Sequence, residues 1–464
     1  MTSIRNTIHT LGGCAACATA LALAACSVTT AGPDGGPSDN GSSSSGGGSG
    51  GASSGGSSSG GGGDDGGPAG DDASDAGPST DATVDSGPGP VPEGGPDPLP
   101  PPDAGCLQSI SGTYVVRKDG LALFEGPPET AVIDGTSGTM NTPLASVQSV
   151  SQSLLAACAL VNGGNVWCWQ ENANSGNTSG QLGNGTTSPS PVYHASEVLT
   201  AASTPLTNVV SLATGLVSNA TCAITGDGKL WCWGDLGWIA HGGATLIASY
   251  AQPITTDGQT PLTGVIQASI SYTNACALVS GSPVNSVYCW GYDLSKQLGQ
   301  GDTTNRQYPG KVTGLTSPRK VAVGVGGDGY QGAYYGTVCV LDGDSVLCWG
   351  SNSAGSTGSS GGTDPVPSPT LVVTAAGPTL RGVLDLEAGG SQAQGEGSGF
   401  GVIRNDGTVW LWGGANGNKA YASSYGVTNV VALGWVNDPR YLTGGGTYFS
   451  GTTAVNVNCG AVSQ

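Results

Sequence analysis

The sequence predicts an all-β fold, and within that class a β-propeller of seven blades, with six blades as the alternative. Two observations lead to this prediction. A segment that combines tryptophan and a turn recurs five times in the second part of the chain, four times with a pair of cysteines, and the copies lie 57 to 64 residues apart. Short strand-like segments accompany most copies, and a ring of such units buries the sheet faces that one unit alone leaves exposed.

Each recurring unit contains two strands around a turn rich in Asn, Asp and Gly, which supply the positive φ that hairpins require. The five clear copies occupy residues 158–169, 222–233, 276–290, 339–349 and 401–412. Weaker copies at 114–126 and 441–449 flank them, and an apolar segment such as 209–212 precedes most hairpins. We therefore expect three or four short strands in each unit.

Composition divides the chain of 464 residues into three parts. Residues 27–105 contain eleven Asp, one Glu and no Lys or Arg, together with long runs of Gly and Ser. Because such a segment buries too little apolar surface to offset its backbone entropy, we expect a disordered, low-complexity acidic linker that acts as a tether. A calcium site among its aspartates is the alternative, although the spacing of a known calcium loop is missing. Residues 106–464 form the foldable propeller.

The charge balance excludes one large class of partner. The chain has 32 acidic and 13 basic residues, a formal net charge of −19, and no basic arm or stripe that could neutralise phosphates. We therefore expect no nucleic-acid partner. No run of 18 apolar residues exists, so the sequence predicts no helix that spans a membrane.

Residues 1–26 resemble a secretory signal peptide with a lipoprotein ending. Arg5 supplies a positive charge, and an Ala- and Leu-rich stretch leads to Leu23-Ala24-Ala25-Cys26. This ending resembles the bacterial lipobox, in which the cysteine is lipidated and becomes the new N-terminus. We expect Cys26 to be the lipid attachment site, which anchors the protein to the outer membrane on its periplasmic or surface side. An ordinary signal peptide that releases a secreted protein is the alternative.

The hairpin copies carry a longer signature. The pattern Cys-Ala-Leu … Trp-Cys-Trp, followed by Gly180-Gln181-Leu182-Gly183, resembles the repeat of the regulator of chromosome condensation family. Gln297-Leu298-Gly299 repeats this tail, and the similarity covers roughly residues 110–455. The segment 406–410 also resembles the Asp-box turn of BNR repeats.

The resemblance implies a seven-bladed propeller whose loops offer a broad face for protein contact. The long inserts at 170–179, 234–264 and 292–316 would build such a face. The nuclear exchange-factor and nucleosome-binding role of the best-known family member is not expected here, because the leader predicts export and no basic arm is visible.

The cysteines have a structural interpretation. Thirteen are present, and eight of the ten outside the leader occupy opposed positions on the two strands of a hairpin. The expected disulfides are Cys158–Cys168, Cys222–Cys232, Cys276–Cys289 and Cys339–Cys348. Free buried thiols and a zinc site are the alternatives. Cys106 and Cys459 lie near the two ends of the repeat region, and we expect them to form a clasp that closes the ring.

The tryptophans of a hairpin lie two residues apart, as Trp167 and Trp169 do, so they share a strand face that points away from the cysteine between them. We expect this face to pack against a neighbouring blade. A platform that stacks on sugars is the alternative.

No catalytic motif of the nucleophile-elbow or phosphate-loop type is present. His194, His241 and Glu197 could serve a lyase, and six arginines in the domain would suffice for a sialidase-type site, but neither set has a convincing arrangement. We therefore expect a monomeric, non-enzymatic, lipid-anchored scaffold that binds an unidentified protein or glycan, without a cofactor or a metal. The alternatives are a secreted hydrolase or lyase that acts on polysaccharide, and a surface protein without a ligand.

Overall fold

A computed structural model describes residues 107–455 with short breaks. The breaks are at positions 112, 125–129, 133–141, 154, 171–175, 191, 193, 216–218, 238, 240–245, 327–334, 361–363, 390–397, 415–418, 436–438, 444–447 and 451–452. The expected leader and linker, 1–26 and 27–105, lie outside the described residues, and so do Cys26, Cys106 and Cys459. In the described part, no helix is long and apolar enough to cross a bilayer.

The described strands form seven four-stranded sheets, and in each sheet the strands are arranged in chain order. The first strands of consecutive sheets contact one another, and the first strand of the last sheet contacts the first strand of the first sheet. The sheets are therefore seven blades of a closed ring, with the first strand of every blade nearest the axis. The sequence allowed seven or six blades, and the described strands form seven.

The first three blades contain twelve of the strands. Blade 1 has β1 (Leu107–Ser111), β2 (Tyr114–Arg117), β3 (Ala122–Phe124) and β4 (Thr130–Ala131). Blade 2 has β5 (Val147–Gln152), β6 (Ala156–Val161), β7 (Val166–Gln170) and β8 (Ser196–Glu197). A separate two-stranded ribbon has β9 (Leu199–Ala201) and β10 (Thr204–Pro205). Blade 3 has β11 (Val209–Thr214), β12 (Ala220–Thr225), β13 (Leu230–Asp235) and β14 (Ile247–Pro253).

The remaining strands form four blades. Blade 4 has β15 (Val265–Ile270), β16 (Asn274–Val279), β17 (Ser286–Gly291) and β18 (Arg306–Lys311). Blade 5 has β19 (Pro318–Gly326), β20 (Tyr335–Asp342), β21 (Ser345–Gly350) and β22 (Val366–Leu371), with a short 3-10 turn at Ser353–Gly355. Blade 6 has β23 (Val383–Gly389), β24 (Gly399–Arg404), β25 (Val409–Gly413) and β26 (Lys419–Ser424). Blade 7 has β27 (Val430–Trp435), β28 (Pro439–Thr443), β29 (Tyr448–Ser450) and β30 (Thr453–Val455).

The hydrophobic core lies between the blades. Among the described residues, buried apolar side chains form seven clusters, and each cluster takes its members from two adjacent blades. The last contact closes the ring, because Leu107 and Leu123 of blade 1 pack with Ala432 and Leu442 of blade 7. A blade thus depends on both neighbours to remove its two faces from water.

The cysteines and the tryptophans face opposite neighbours. In blade 3, Cys222 and Cys232 belong to the cluster shared with blade 4, whereas Trp233 belongs to the cluster shared with blade 2. In four blades the opposed cysteines are bonded, with Cα atoms 4.0 to 4.1 Å apart: Cys158–Cys168, Cys222–Cys232, Cys276–Cys289 and Cys339–Cys348. In blade 1, Tyr114 and Phe124 take the place of the cysteine pair, with ring centroids 5.5 Å apart.

In blades 2 to 6, the tryptophan at the end of the hairpin motif ties its blade to the blade before it. Trp169, Trp233, Trp290, Trp349 and Trp412 are at most 3% exposed, so these five rings cannot serve as a sugar platform. Each indole N–H donates a hydrogen bond to the preceding blade. The acceptors are the hydroxyl of Tyr114 at 2.9 Å and the backbone oxygens of Gln181 at 3.2 Å, Ile239, Gln297 at 3.0 Å and Ser356 at 3.1 Å.

The recurring Gln-Leu-Gly tail is the surface on which the next blade's tryptophan packs. Gly183 and Gly299 have φ values of +63° and +70°, and a Cβ at these positions would lie 2.8 Å and 2.6 Å from the rings of Trp233 and Trp349. Only glycine satisfies both the positive φ and the close approach. The tail and the tryptophan of the sequence motif are therefore two halves of one contact between blades.

A second hydrogen bond joins neighbouring blades at the opposite end of the sheets. There the N–H of the first residue of an innermost strand donates to a carbonyl in the hairpin turn of the blade before it. The pairs are Val147 with Gly120 at 2.8 Å, Val209 with Gly164 at 3.0 Å, Val265 with Gly228 at 2.9 Å, Val383 with Asp344 at 3.0 Å and Val430 with Gly407 at 3.1 Å. We call this end of the ring the turn face.

Gly299→Ala should destabilise the protein more than Gly301→Ala does. Both glycines have positive φ, +70° and +89°, but only the Cβ of the first substitution meets the ring of Trp349, because nothing lies within 4 Å of the Cβ position at Gly301. We expect a loss of about 1 kcal/mol in the free energy of unfolding for Gly301→Ala. For Gly299→Ala we expect about 1–3 kcal/mol more. Urea unfolding followed by tryptophan fluorescence measures both losses, and equal losses would contradict the proposed contact.

Candidate functional site

Every blade has the same irregularity in its innermost strand. The pairing with the second strand shifts after the first residue, so the second residue of each innermost strand has no partner opposite it. These seven residues are Gln108, Gln148, Val210, Ile266, Arg319, Leu384 and Val431, and we call them the bulge ring. They occupy equivalent positions around the axis, on the turn face.

Four members of the bulge ring are large apolar residues that face solvent. Val210 is 58% exposed, Ile266 48%, Leu384 54% and Val431 57%. These are the four most exposed large apolar side chains, apart from Leu294 at 49%, in the part of the chain that the structure describes. A group of exposed apolar side chains at one end of a ring is typical of a surface that binds a partner.

The polar members of the bulge ring are held by their neighbours. The side-chain amide of Gln108 donates to the backbone oxygen of Gln148 at 3.0 Å, and the amide of Gln148 donates to Oδ1 of Asn162 at 2.7 Å. Arg319 donates from Nη1 to the backbone oxygen of Gly343 at 2.8 Å. The apolar members thus lie in blades 3, 4, 6 and 7, with one arginine between them in blade 5.

Ion pairs at the hairpin turns surround these apolar residues. They are Lys229–Asp227 at 2.7 Å, Arg381–Asp344 at 2.9 Å and Arg404–Asp406 at 3.1 Å. Hydrogen bonds from Lys229 and Thr225 lower the pKa of Asp227 to about 2, and a hydrogen bond from Arg381 lowers the pKa of Asp344. The carboxylates are therefore ionised at neutral pH. An apolar centre with a charged rim is the usual anatomy of a protein–protein interface.

A buried ion-pair cluster connects two innermost strands near the axis. The Nζ atom of Lys320 in blade 5 lies 2.6 Å from Oδ1 of Asp385 and 2.6 Å from Oε1 of Glu387 in blade 6. Burial lowers the pKa of Lys320, but the charges of the two carboxylates outweigh it, so the pKa is raised overall and the ammonium group stays protonated. Burial raises the pKa of Glu387 to about 8, against the opposing charge of Lys320, and the contacts of Lys320 with both acids link the two blades.

The structure describes only part of the catalytic groups that the sequence suggested. His194 is exposed, Oε1 of Glu197 accepts a hydrogen bond from the side-chain amide of Asn165 at 2.7 Å, and His241 lies outside the described residues. Four of the six candidate arginines form ion pairs. Arg117, Arg306 and Arg404 pair with an acid two or four residues away, and Arg381 pairs with Asp344 in the hairpin turn of the preceding blade. Within the described ranges, no group of three or more His, Cys, Asp or Glu side chains is placed to hold a metal ion.

One buried acid was missed by the sequence analysis. Oδ1 of Asp293 accepts a hydrogen bond from the N–H of Leu298 at 2.8 Å, at the place where Asn177 and Asn352 make the equivalent bond in two other blades. Oδ2 of Asp293 is buried and has no hydrogen-bond partner among the described residues, while Arg306 lies 3.7 Å away. Burial raises the pKa of Asp293 to about 7. Alignment of the loops, with Asp in place of Asn, was the available signal.

Comparison with known proteins agrees with this architecture. Residues 285–328 match the regulator of chromosome condensation (RCC1) repeat. The chain is 29% identical over 177 residues to the human E3 ubiquitin-protein ligase HERC2 and 28% identical to the mouse protein, a match that covers 38% of this chain. It spans only 3% of the length of these curated relatives.

The propeller fold is shared with a solved structure. Yeast RCC1 (Prp20), solved bound to Kap60, superposes with a TM-score of 0.50 at 14% identity, covering 70% of this chain and 76% of that chain. Human WBSCR16 gives a TM-score of 0.49 at 16% identity, covering 70% and 87%. The match at residues 285–328 and the propeller fold shared with yeast RCC1 support a likeness to the regulator of chromosome condensation repeat family.

Asp293→Asn should stabilise the protein at alkaline pH. The pKa of Asp293 rises from its ordinary value of 3.8 to about 7 in the folded protein, so the unfolded chain loses this proton first as the pH rises. Folding is therefore penalised increasingly between pH 4 and pH 7, and the penalty is complete above pH 7. We expect Asp293→Asn to raise the free energy of unfolding by about 1 kcal/mol or more at pH 8, and much less at pH 4.

The matched control for this substitution is Asn177→Asp, which places a carboxylate at the equivalent site of blade 2. It should lower stability at pH 8 and have a smaller effect at pH 4. Urea unfolding at pH 4 and pH 8 measures the free energy of unfolding of each variant relative to the wild type. An effect of Asp293→Asn that does not change with pH would contradict the role given to this carboxyl group.

Proposed function

We propose that this protein is a non-enzymatic scaffold of a bacterial cell envelope that binds a partner protein through its bulge ring. The observation that carries the proposal is the set Val210, Ile266, Leu384 and Val431, four exposed apolar side chains at equivalent positions of one ring. An interface over these side chains would remove them from water, and the charged turns around them would orient the partner.

The family likeness supports a protein partner. Yeast RCC1 (Prp20), which has this fold, has been solved bound to Kap60. A propeller offers such partners a wide, rigid face, and the links between neighbouring blades hold the bulge ring in place with little cost in entropy on binding. The acidic balance of the chain, with a net charge of −19, makes nucleic acid an unsuitable ligand.

The cellular location is part of the proposal and rests on the sequence. Leu23-Ala24-Ala25-Cys26 is the pattern of a lipidated cysteine, and residues 27–105 have the composition of a tether. We infer that the propeller is attached to the outer membrane through Cys26, on the periplasmic or the surface side. A non-enzymatic role is supported by the ion pairs of Arg117, Arg306, Arg381 and Arg404, because each of these candidate arginines is already engaged by a carboxylate.

Replacement of Val210, Ile266 and Leu384 together by Asp should abolish partner binding. Each side chain would contribute about 1.5–3 kcal/mol when fully buried in an interface. We expect at least a tenfold drop in the yield of the cross-linked partner, measured by quantitative mass spectrometry after cross-linking of the full-length protein in intact cells.

The control for this experiment changes exposed apolar residues away from the bulge ring. Leu294 and Leu371 are 49% and 38% exposed, and their joint replacement by Asp should leave the cross-linked partner unchanged. If the bulge-ring variant is folded and recovers the same proteins at the same yield as the wild type, the proposed interface is wrong.

Export predicts oxidised cysteines in the mature protein. We expect non-reducing peptide mapping of protein from the native envelope to find four linked pairs: Cys158–Cys168, Cys222–Cys232, Cys276–Cys289 and Cys339–Cys348. The same map tests the expected Cys106–Cys459 clasp. Each hairpin disulfide closes a short loop, so its reduction should cost at most about 3 kcal/mol. Alkylation of these cysteines in the denatured, unreduced protein would contradict export to an oxidising compartment.

A further inference from the structure

A groove of about 700 Å³ lies on the outer rim of the ring, away from the bulge ring. Its walls are the outermost strands of two neighbouring blades, β14 of blade 3 and β18 of blade 4, together with the turn at 254–259. The volume is in the range of small-ligand sites. Two of the three long inserts that the sequence predicted to build a face for protein contact, 234–264 and 292–316, thus meet in one concave surface.

The described lining of the groove contains no side chain that is charged at neutral pH. Its lining contains Tyr250, Tyr308, Gln252, Gln259 and Ile247, and no acidic, basic or histidine side chain is among the described lining residues. Asp257, in the turn that forms one wall, is used within that turn, where it accepts hydrogen bonds from the N–H groups of Gln259 at 2.9 Å and Thr260. A ligand without formal charge fits such a lining, because a charged ligand would find no counter-charge.

The two tyrosines are held in fixed positions by glycines. A Cβ on Gly185 would lie 2.5 to 2.6 Å from the ring and hydroxyl of Tyr250, and a Cβ on Gly258 would lie 2.8 Å from the hydroxyl of Tyr308. Each tyrosine therefore lies directly on backbone. Both rings are half-buried, and neither hydroxyl makes a hydrogen bond to the part of the chain that the structure describes. They are preorganised, amphipathic surfaces with a free polar end.

The glutamines supply the complementary polar groups. The side chains of Gln252 and Gln259 are exposed, and their amides make no hydrogen bond to other described residues. An amide offers donors and acceptors together, and a tyrosine hydroxyl does the same. Sugar hydroxyl groups need this mixture, while the apolar faces of sugar rings pack on aromatic rings.

An extended peptide is a poorer occupant of the groove. A peptide would add as a further strand, but the outer edge of β14 is already covered, because the N–H of Gly185 donates to the backbone oxygen of Ser249 at 2.8 Å. In addition, β14 contains Pro253 and β18 contains Pro309. A proline has no backbone N–H, so it cannot donate the hydrogen bond that strand addition requires. Side-chain recognition of a sugar does not need these backbone groups.

We propose that this groove binds a neutral oligosaccharide, with Tyr250 and Tyr308 packing against sugar rings and Gln252 and Gln259 hydrogen bonding to their hydroxyl groups. The site is separate from the bulge ring, so the scaffold can hold a protein partner and an uncharged envelope or extracellular glycan together. The inference does not depend on the identity of the protein partner.

Isothermal titration calorimetry of the full-length protein tests the proposal. The probes are cellohexaose, xylohexaose, mannohexaose, maltohexaose and chitohexaose, with hexagalacturonate as the anionic comparison. We expect at least one neutral sugar to bind, and hexagalacturonate to bind at least tenfold more weakly. Absence of binding by all five neutral sugars at millimolar concentration, or tighter binding of the anion, overturns the proposal.

Variants locate the binding site. Tyr308→Ala and Tyr250→Ala should each lower the affinity for the sugar at least tenfold. Tyr308→Phe should retain most of the affinity, because the aromatic ring remains. The matched control is Tyr421→Ala, since Tyr421 is a 41% exposed tyrosine on the outermost strand β26 of blade 6. Equal affinity of the wild type and the two alanine variants would place the sugar elsewhere and overturn the inference.

Two further measurements keep the outcomes distinct. If Tyr250→Ala reduces folding, as judged by circular dichroism, the exposed substitutions Gln252→Ala and Gln259→Ala still test the groove and should each reduce affinity severalfold. The bulge-ring variant should bind sugar like the wild type, and the groove variants should retain the cross-linked protein partner. Failure of one proposal is therefore visible without failure of the other.

Discussion

The structure depends on one constraint: a four-stranded blade has two apolar faces and no core of its own. Every buried cluster in the described chain is shared by two neighbouring blades, including the one in which Leu123 of blade 1 meets Leu442 of blade 7. The free energy of burial therefore becomes available only when the ring is closed. Two polar contacts then fix the spacing of the blades: an indole N–H at one end of the sheets and a backbone N–H on the turn face.

This arrangement explains why the residues of the recurring motif serve contacts between blades. The tryptophans pack against the preceding blade, the disulfides face the following one, and the glycines of the Gln-Leu-Gly tail exist because Trp233 and Trp349 pack against them. The residues that recur in the sequence motif are therefore the ones that join neighbouring blades. Ligand contact is left to positions that the frame presents but does not use, such as the bulge ring and the rim groove.

The two proposed surfaces have different physical characters. The bulge ring combines exposed aliphatic side chains with ion pairs at the turns, which suits a folded protein partner. The groove between blades 3 and 4 is concave, uncharged and contains Tyr250 and Tyr308, which suits a sugar chain. Since the blades are rigidly linked, occupation of one surface need not alter the other, and the ring would act as a platform that brings two ligands together.

The sequence by itself determined the class of fold, the recurring hairpins and the opposed cysteine pairs, because strand alternation, turn composition and spacing are local properties. It also marked the inserts whose residues line the groove. Only the tertiary structure decided the blade count, the burial of Trp233 and its equivalents, and the exposure of Val210 and Ile266, which look like ordinary core residues in an apolar segment. The aligned loops show Asp293 in place of an Asn, but its burial, like the strand bulges and the contacts across blades, depends on packing that local patterns do not encode.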